Sequence, residues 1–199
     1  MPDRIAAIVL AAGISRRFGS DKLLHPLTLN GRTMPLAAHS LLSWLEVFER
    51  VCVITRPGAE TRKIEDALDA GSRISWVVCE HADRGMAESL ACGIRATIGA
   101  AGWLIGLADM PRVPASAISG VKDALIEGAP LAAASRNGRR GHPAGFSASY
   151  RDELLALKGD AGARHILERD EVRRVQAESD GIFSDIDQPL DLNRFIAHS

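Results

Sequence analysis

At 199 residues, with 46% apolar and 25% charged side chains, the chain has the length and composition of one soluble globular domain with a sizeable core, not of a disordered polymer. Lys and Arg total 24 and Asp and Glu 25, a net charge of -1 that excludes the strongly basic balance of a dedicated nucleic-acid binder. No apolar run approaches the roughly 20 residues of a bilayer span, and Asp3 and Arg4 ahead of the first run do not form a basic leader, so a cytoplasmic protein without a membrane partner is expected.

The predicted elements alternate along the chain. "RIAAIVL" (4–10) is a nearly continuous apolar run, as expected of a strand covered on both faces. Leu41, Trp44, Leu45 and Phe48 then share one helical face, followed by strand-like "VCVIT" (51–55) and "ISWVVC" (74–79). Met86, Leu90, Ile94 and Ile98 recur every four residues, which predicts a second helix. "WLIGLA" (103–108), the helical spacing of Ile118, Val121 and Leu125, and "PLAAAS" (130–135) continue the alternation. This is the βαβ signature of an α/β fold: a doubly wound, Rossmann-like, three-layer arrangement around a mostly parallel sheet. Without repeats, low-complexity tracts or long linkers, residues 1–199 read as a single domain. In such folds, chemistry gathers at the carboxyl ends of the strands.

Cysteine supplies no framework. Cys52 and Cys79 fall in strand-like runs and Cys92 in a helical one, with no C-x-x-C spacing, so reduced, buried thiols are expected rather than a disulfide or zinc scaffold.

Two strand ends and a third cluster further along the chain carry reactive residue types. "LAAGISRRFGSDKLL" (10–24) follows the first strand, with Gly13 and Gly19 permitting close backbone approach and Arg17 and Lys22 supplying positive charge. It fits a phosphate cradle or a solvated turn, and it is neither a Walker A loop nor a G-x-G-x-x-G turn. Asp109 in "GLADMPRV" (106–113) follows a strand and precedes Pro111, which suits either an oxygen ligand for Mg²⁺ or a turn-forming carboxylate. In "FSDIDQPLDL" (183–192), Asp185 and Asp187 alternate around Ile186 as on one face of a strand, while Asp187 near a cap and Pro189 in the first turn suit a helix N-terminus.

Six segments in order give the chain a family likeness: L-A-A-G-x-S-x-R-x-G-x-x-K at 10–22, G-M-x-x-S-L at 85–90, L-A-D-M-P at 107–111, G-H-P at 141–143, G-D-x-G-A-R at 159–164 and D-I-D-x-P-x-D-L at 185–192. On these the chain resembles the MobA-like nucleotidyltransferases, most closely the molybdenum cofactor cytidylyltransferase branch. The resemblance implies transfer of CMP from CTP to the phosphate of a molybdopterin-type acceptor, with Mg²⁺ as cofactor and pyrophosphate released. A recipient molybdenum oxidoreductase would be a further partner. It implies that Leu10, Ala11, Ala12, Gly13, Ser15, Gly19 and Lys22 wrap the triphosphate, with Arg17 and Lys22 countering charge. Gly85 and Ser89 would lie beside base or ribose, and Glu80 stands where an amide is expected. Asp109 and Asp187 would hold the metal, while Arg140, His142, Asp160 and Arg164 would serve the acceptor. His142 before Pro143 also suits a plain turn. His25, His39, His81, His165 and His198 show no ligand spacing.

Ala11-Ala12-Gly13, where guanosine-transferring members carry G-G, favours CTP over GTP. Guanylyl transfer, sugar-phosphate nucleotidyl transfer, a regulatory nucleotide-binding module and a non-catalytic maturation protein for the molybdenum cofactor are the competing readings.

Overall fold

The sheet is assembled from the centre outward. A computed structural model describes residues 5–15, 17–160 and 162–192. Arg4 of the predicted first strand, Asp3 and His198 lie outside them. In chain order the elements are β1 (Ile5–Ala11), β2 (Pro26–Leu29), β3 (Arg32–Pro35), α1 (Leu36–Val47), β4 (Val51–Thr55), α2 (Arg62–Leu68) and β5 (Ile74–Val78). There follow α3 (Met86–Ala96), β6 (Gly102–Leu107), α4 (Ala115–Ile126), β7 (Leu131–Arg136), β8 (Arg139–Ser147), α5 (Arg151–Ala156), α6 (Arg164–Arg169) and β9 (Arg173–Gln176).

Among the described residues, the main sheet has seven strands in the order β5-β4-β1-β6-β8-β7-β9. β5, β4, β1 and β6 pair in parallel, as do β7 and β9. β8 alone runs against both its neighbours, β6 and β7. The expected doubly wound, mostly parallel sheet is therefore present, with one reversed strand that the apolar runs did not signal. β2 and β3 form a separate hairpin.

Side-chain alternation makes the layers. On β1, Ile5, Ala7 and Val9 join one apolar cluster with Leu41 and Trp44 of α1 and Ile118 and Val121 of α4. Ile8 and the β6 residues Trp103 and Ile105 face the other way, against Leu90 and Ile94 of α3 and Leu154 of α5. Burial of a residue such as Ile8, which is 0% exposed, is worth about 1.5–3 kcal/mol. Two helix predictions are corrected at their ends: α1 stops at Val47, with Phe48 as its C-cap. α3 stops at Ala96, so Ile98 lies beyond it, and both Met86 and Ile98 are exposed, at 44% and 48%.

β1 is followed on one side by β4 and β5, and the chain then returns to place β6 on its other side. That reversal opens a crevice beyond the carboxyl ends of β1 and β6, where ligands of such sheets bind. Leu10 faces Leu107 across the pair, and the Ala108 N–H donates to the Leu10 carbonyl at 3.0 Å.

Candidate active site

The loop leaving β1 closes on itself. Ser15, at φ +50°, accepts at its Oγ from the Lys22 N–H (3.3 Å), and its carbonyl accepts from the Phe18 N–H (2.9 Å). Asp21 caps the short 3-10 turn Lys22–Leu24 by accepting from the Leu23 N–H (3.2 Å), while its other oxygen takes Arg56 Nη2 at 2.6 Å. Lys22 is thereby turned inward, with only 9% of its side chain exposed. No β-carbon clash would arise at Gly13, so its immediate surroundings are open.

The segment 180–187 brings in the opposing charge. Gly181 lies against the Arg112 backbone so closely that a β-carbon would fall 1.9 Å from its carbonyl oxygen. The Ile186 N–H then donates to the Asp109 carbonyl at 3.1 Å. The strand expected for Asp185 and Asp187 is absent. The chain turns instead into a 3-10 turn, Pro189–Asp191, capped by Gln188, and Asp191 Oδ2 accepts from the Asp187 and Gln188 N–H groups at 3.0 and 2.8 Å. Asp187 therefore precedes the cap.

Lys22 Nζ donates to Asp109 Oδ2 at 2.7 Å and to Asp187 Oδ1 at 2.8 Å. Arg17 lies 3.6 Å from the second oxygen of Asp187. Burial works against the Lys22 ammonium, but Asp109 first and Asp187 second more than offset it and hold it above the ordinary lysine range. For Asp109, burial is the largest influence and pushes the carboxyl up; Lys22 pulls it down, and Asp185 and Asp187 push it up again. Two carboxylates thus hold one inward ammonium, with Asp185 near enough to Asp109 to act on its charge. Asp109 Oδ1 is buried without a hydrogen-bond partner among the described residues. A hard divalent cation fits this donor set: oxygen ligands, surplus negative charge and an unsatisfied buried lone pair.

Two adjoining chambers share Leu10, Gly13, Ile14, Met86 and Asp109. The first, about 340 Å³, adds Ser15, Arg17, Lys22 and Asp187. The second, about 400 Å³, adds Ala12, Asp83, Gly85, Ser89 and Asp160. The cationic groups thus line one chamber and two further carboxylates line the other.

The remaining residues singled out in the sequence divide. Gly85, at φ +116°, meets the 159–160 turn: a β-carbon there would lie 2.6 Å from the Gly159 carbonyl carbon and 2.7 Å from Asp160 Oδ1. The Ala87 N–H donates to the Gly159 carbonyl at 3.0 Å. Asp160, expected beside the acceptor, therefore sits in the same chamber as Gly85 and Ser89. Arg140 donates to the Leu167 carbonyl at 2.6 Å, and Arg164 pairs with Glu168 at 2.7 Å on the surface; neither lines either chamber. Glu80 is exposed and lines neither, whereas Asp83, three residues on, lines the second. His142 lies within β8 rather than in a turn, near enough to Asp109 and Asp185 to feel their charge. Burial pushes its imidazole down, and its Nδ1 is buried without a partner among the described residues. Gly19 stands at φ +81° in the first loop, as the turn there requires. Asp83, Met86, Ile14 and the Asp21–Arg56 pair were missed. Only Met86 had a signal, as the apolar residue directly after Gly85.

A model of the MobA-like NTP transferase domain matches residues 7–175. The chain belongs to that family. Purine catabolism protein PucB of Bacillus subtilis (strain 168) is 32% identical to this MobA-like chain over 197 residues, covering 93% of it and 92% of PucB. The crystal structure of a Mycobacterium tuberculosis Rv0371c homologue from Mycobacterium sp. strain JC1 superposes with a TM-score of 0.80 at 25% identity, covering 99% of this chain and 97% of that one. Rv0371c of Mycobacterium tuberculosis H37Rv, solved in complex with manganese, gives a TM-score of 0.77 at 24% identity, covering 98% and 99%. The MobA-like chain is thus a nucleotidyltransferase that takes a nucleoside triphosphate. Among its described residues no helix is long and apolar enough to cross a membrane.

Proposed function

We infer that this MobA-like enzyme transfers CMP from CTP to the phosphate of a molybdopterin-type acceptor and releases pyrophosphate. The observation that carries it is the Lys22–Asp109–Asp187 cluster at the β1–β6 crevice, which lines the cationic chamber and shares Asp109 with a second one walled by Ala12 and Ser89. The acceptor identity rests on the resemblance of the six sequence segments to the cytidylyltransferase branch.

Both reactants are anions, so the protein's work is positioning and charge neutralisation. Lys22, Arg17 and the backbone N–H groups of the 10–22 loop hold the triphosphate and stabilise the charge that builds up as pyrophosphate leaves. Asp109 and Asp187 would hold a divalent ion, Mg²⁺ in our reading, and the manganese complex of Rv0371c supports that class. When bound, the ion supplies positive charge to the phosphates that carboxylates alone would repel. An acceptor phosphate oxygen then attacks the α-phosphorus in line, and no covalent enzyme intermediate is needed. Asp160 and Ser89 contribute polar groups beside the base or ribose. The resemblance assigns His142, beside Asp109 and Asp185, to the acceptor side. A molybdenum oxidoreductase would receive the product.

Guanylyl transfer is the second reading, because Asp83 and Asp160 are acceptor-only carboxylates that suit the ring and amino N–H groups of guanine. The two are separated by incubating the enzyme with Mg²⁺, phosphorylated pterin cofactor and each nucleoside triphosphate in turn, reading pyrophosphate release and product mass together. CTP is expected to be used roughly 10- to 200-fold better than GTP, the range that a steric misfit in a pocket supports. A preference for GTP would overturn the cytidylyl reading and leave the nucleotidyltransferase intact.

A further inference from the structure

None of the three cysteines enters the chemistry above, yet the fold gathers them. Cys79 follows β5, and Cys92 stands one turn beyond Glu88 on α3. Cys52, on β4, lies near enough to Cys92 for the two to interact electrostatically. Cys92 Sγ sits 2.8 Å from Cys79 Sγ, and Cys79 Sγ also contacts the Glu88 carbonyl at 3.6 Å. The Glu88 carboxylate completes a group whose ligand atoms all lie within 4.8 Å of one another.

Such a group invites comparison with a metal site, and the sulfur separation argues against it. Two thiolates on a tetrahedral zinc ion, each about 2.3 Å from the metal, stand roughly 3.8 Å apart. A disulfide needs about 2.05 Å, so the observed pair lies within about 1 Å of bonding. We propose that Cys79 and Cys92 form an oxidisable pair, a modification site at which a hydroperoxide closes an intramolecular disulfide in the folded protein.

The burial of the two residues assigns their parts. Cys92 is partly exposed and Cys79 is fully buried, so the peroxide meets Cys92 first. The Cys92 thiolate attacks the peroxide oxygen, the O–O bond breaks, and Cys92 becomes a sulfenic acid as one hydroxide leaves. Cys79 sulfur then attacks the sulfenic sulfur, its proton leaves with the second hydroxyl as water, and the S–S bond forms. The two sulfurs lose two electrons in all, the first hydroxide takes up the proton that Cys92 shed, and hydrogen peroxide becomes two waters. Burial pushes the Cys79 thiol up to about 12, which keeps it protonated until that second step. The covalent ring so closed runs from 79 to 92 and contains Asp83, Gly85, Met86 and Ser89, the outer wall of the second chamber. Oxidation therefore fastens that wall in the position it already holds.

The test uses the purified, reduced full chain treated with hydrogen peroxide. Thiols titrated under denaturing conditions are expected to fall from three to one, with a Cys79–Cys92 peptide in the mass map and recovery by dithiothreitol. The midpoint of thermal unfolding is expected to rise by about 5 °C, as for a bridge closing a short loop in a chain of this size. Cys92→Ser is expected to show two thiols before and after treatment and no shift. A thiol count that stays at three, a bridge through Cys52, or Cys92 oxidised beyond sulfenic acid with Cys79 free would overturn the proposal. So would stoichiometric zinc retained by the chain with two thiols masked.

Discussion

Buried histidines set how the molecule answers to acid. His39 is 6% exposed and its Nε2 meets the Leu27 carbonyl at 2.8 Å, yet burial outweighs that contact and holds the ring below its usual value of 6.5. His142 is shifted the same way by burial, against the pull of Asp109. In the unfolded chain both rings take a proton near pH 6.5; in the folded protein they take it only at lower pH. The unfolded state therefore binds more protons below about 6.5, and stability falls as pH drops from there through the folded values. Asp109 works in the opposite sense at the acid end, because its raised value lets the folded chain take that proton first. Urea unfolding between pH 7.5 and 5.5 is expected to show stability flat above about 7 and declining below it, by up to ~1.4 kcal/mol per pH unit for each histidine. His39→Gln should flatten part of the decline. An unchanged stability across that range would remove both rings from the account. The chemistry-bearing residues were the legible ones at this scale. Asp109 and Lys22 stood out by type and by their place after the apolar runs of β6 and β1, and Asp187 through the family resemblance; the structure brings the three together. The orphaned Nδ1 of His142 and the Asp21–Arg56 pair were not legible, because each depends on what folds against it.

Gly85 joins two elements that the sequence kept apart. α3 and the 159–160 turn meet there with no room for a β-carbon, and the positive φ would strain any side chain regardless of space. Gly85→Ala is expected to cost ~2 kcal/mol of stability and to weaken nucleoside triphosphate binding, because Asp160 and Ser89 are displaced together. Calorimetric titration beside thermal unfolding checks both; loss of stability with unchanged binding would detach the second chamber from the nucleotide. The strands of the parallel core were legible because a strand covered on both faces is apolar throughout. β2, β3 and β8 were not: β2 and β3 have only four residues each, and β8 is interrupted by Arg139, Arg140, His142 and Ser147. Their signal lay in the turns instead: Asn30-Gly31 and Asn137-Gly138 both adopt positive φ and close the β2–β3 and β7–β8 hairpins. α2, α5 and α6 have six or seven residues, too few for an apolar period to show.

Across the whole molecule, the return of the chain past β1 is what creates the site. The β1 loop, the end of β6 and the segment after Gly181 are far apart in the sequence, and Lys22 reaches Asp187 across 165 positions. A linear reading found the pieces through family resemblance, and the separation of cationic and carboxylate-lined chambers emerged only when they were assembled. The central claim is that Asp109, at this crossing, holds the ion that neutralises the nucleotide. It is tested most directly by the initial rate of pyrophosphate release from CTP, with saturating Mg²⁺ and acceptor, in the wild type and in Asp109→Asn. The substitution preserves shape and leaves Lys22 paired with Asp187, so the unfolding temperature should move little. The rate should fall by at least ~10²-fold, as when a group stabilising transition-state charge is lost. A folded Asp109→Asn enzyme that releases pyrophosphate at close to the wild-type rate would contradict the account.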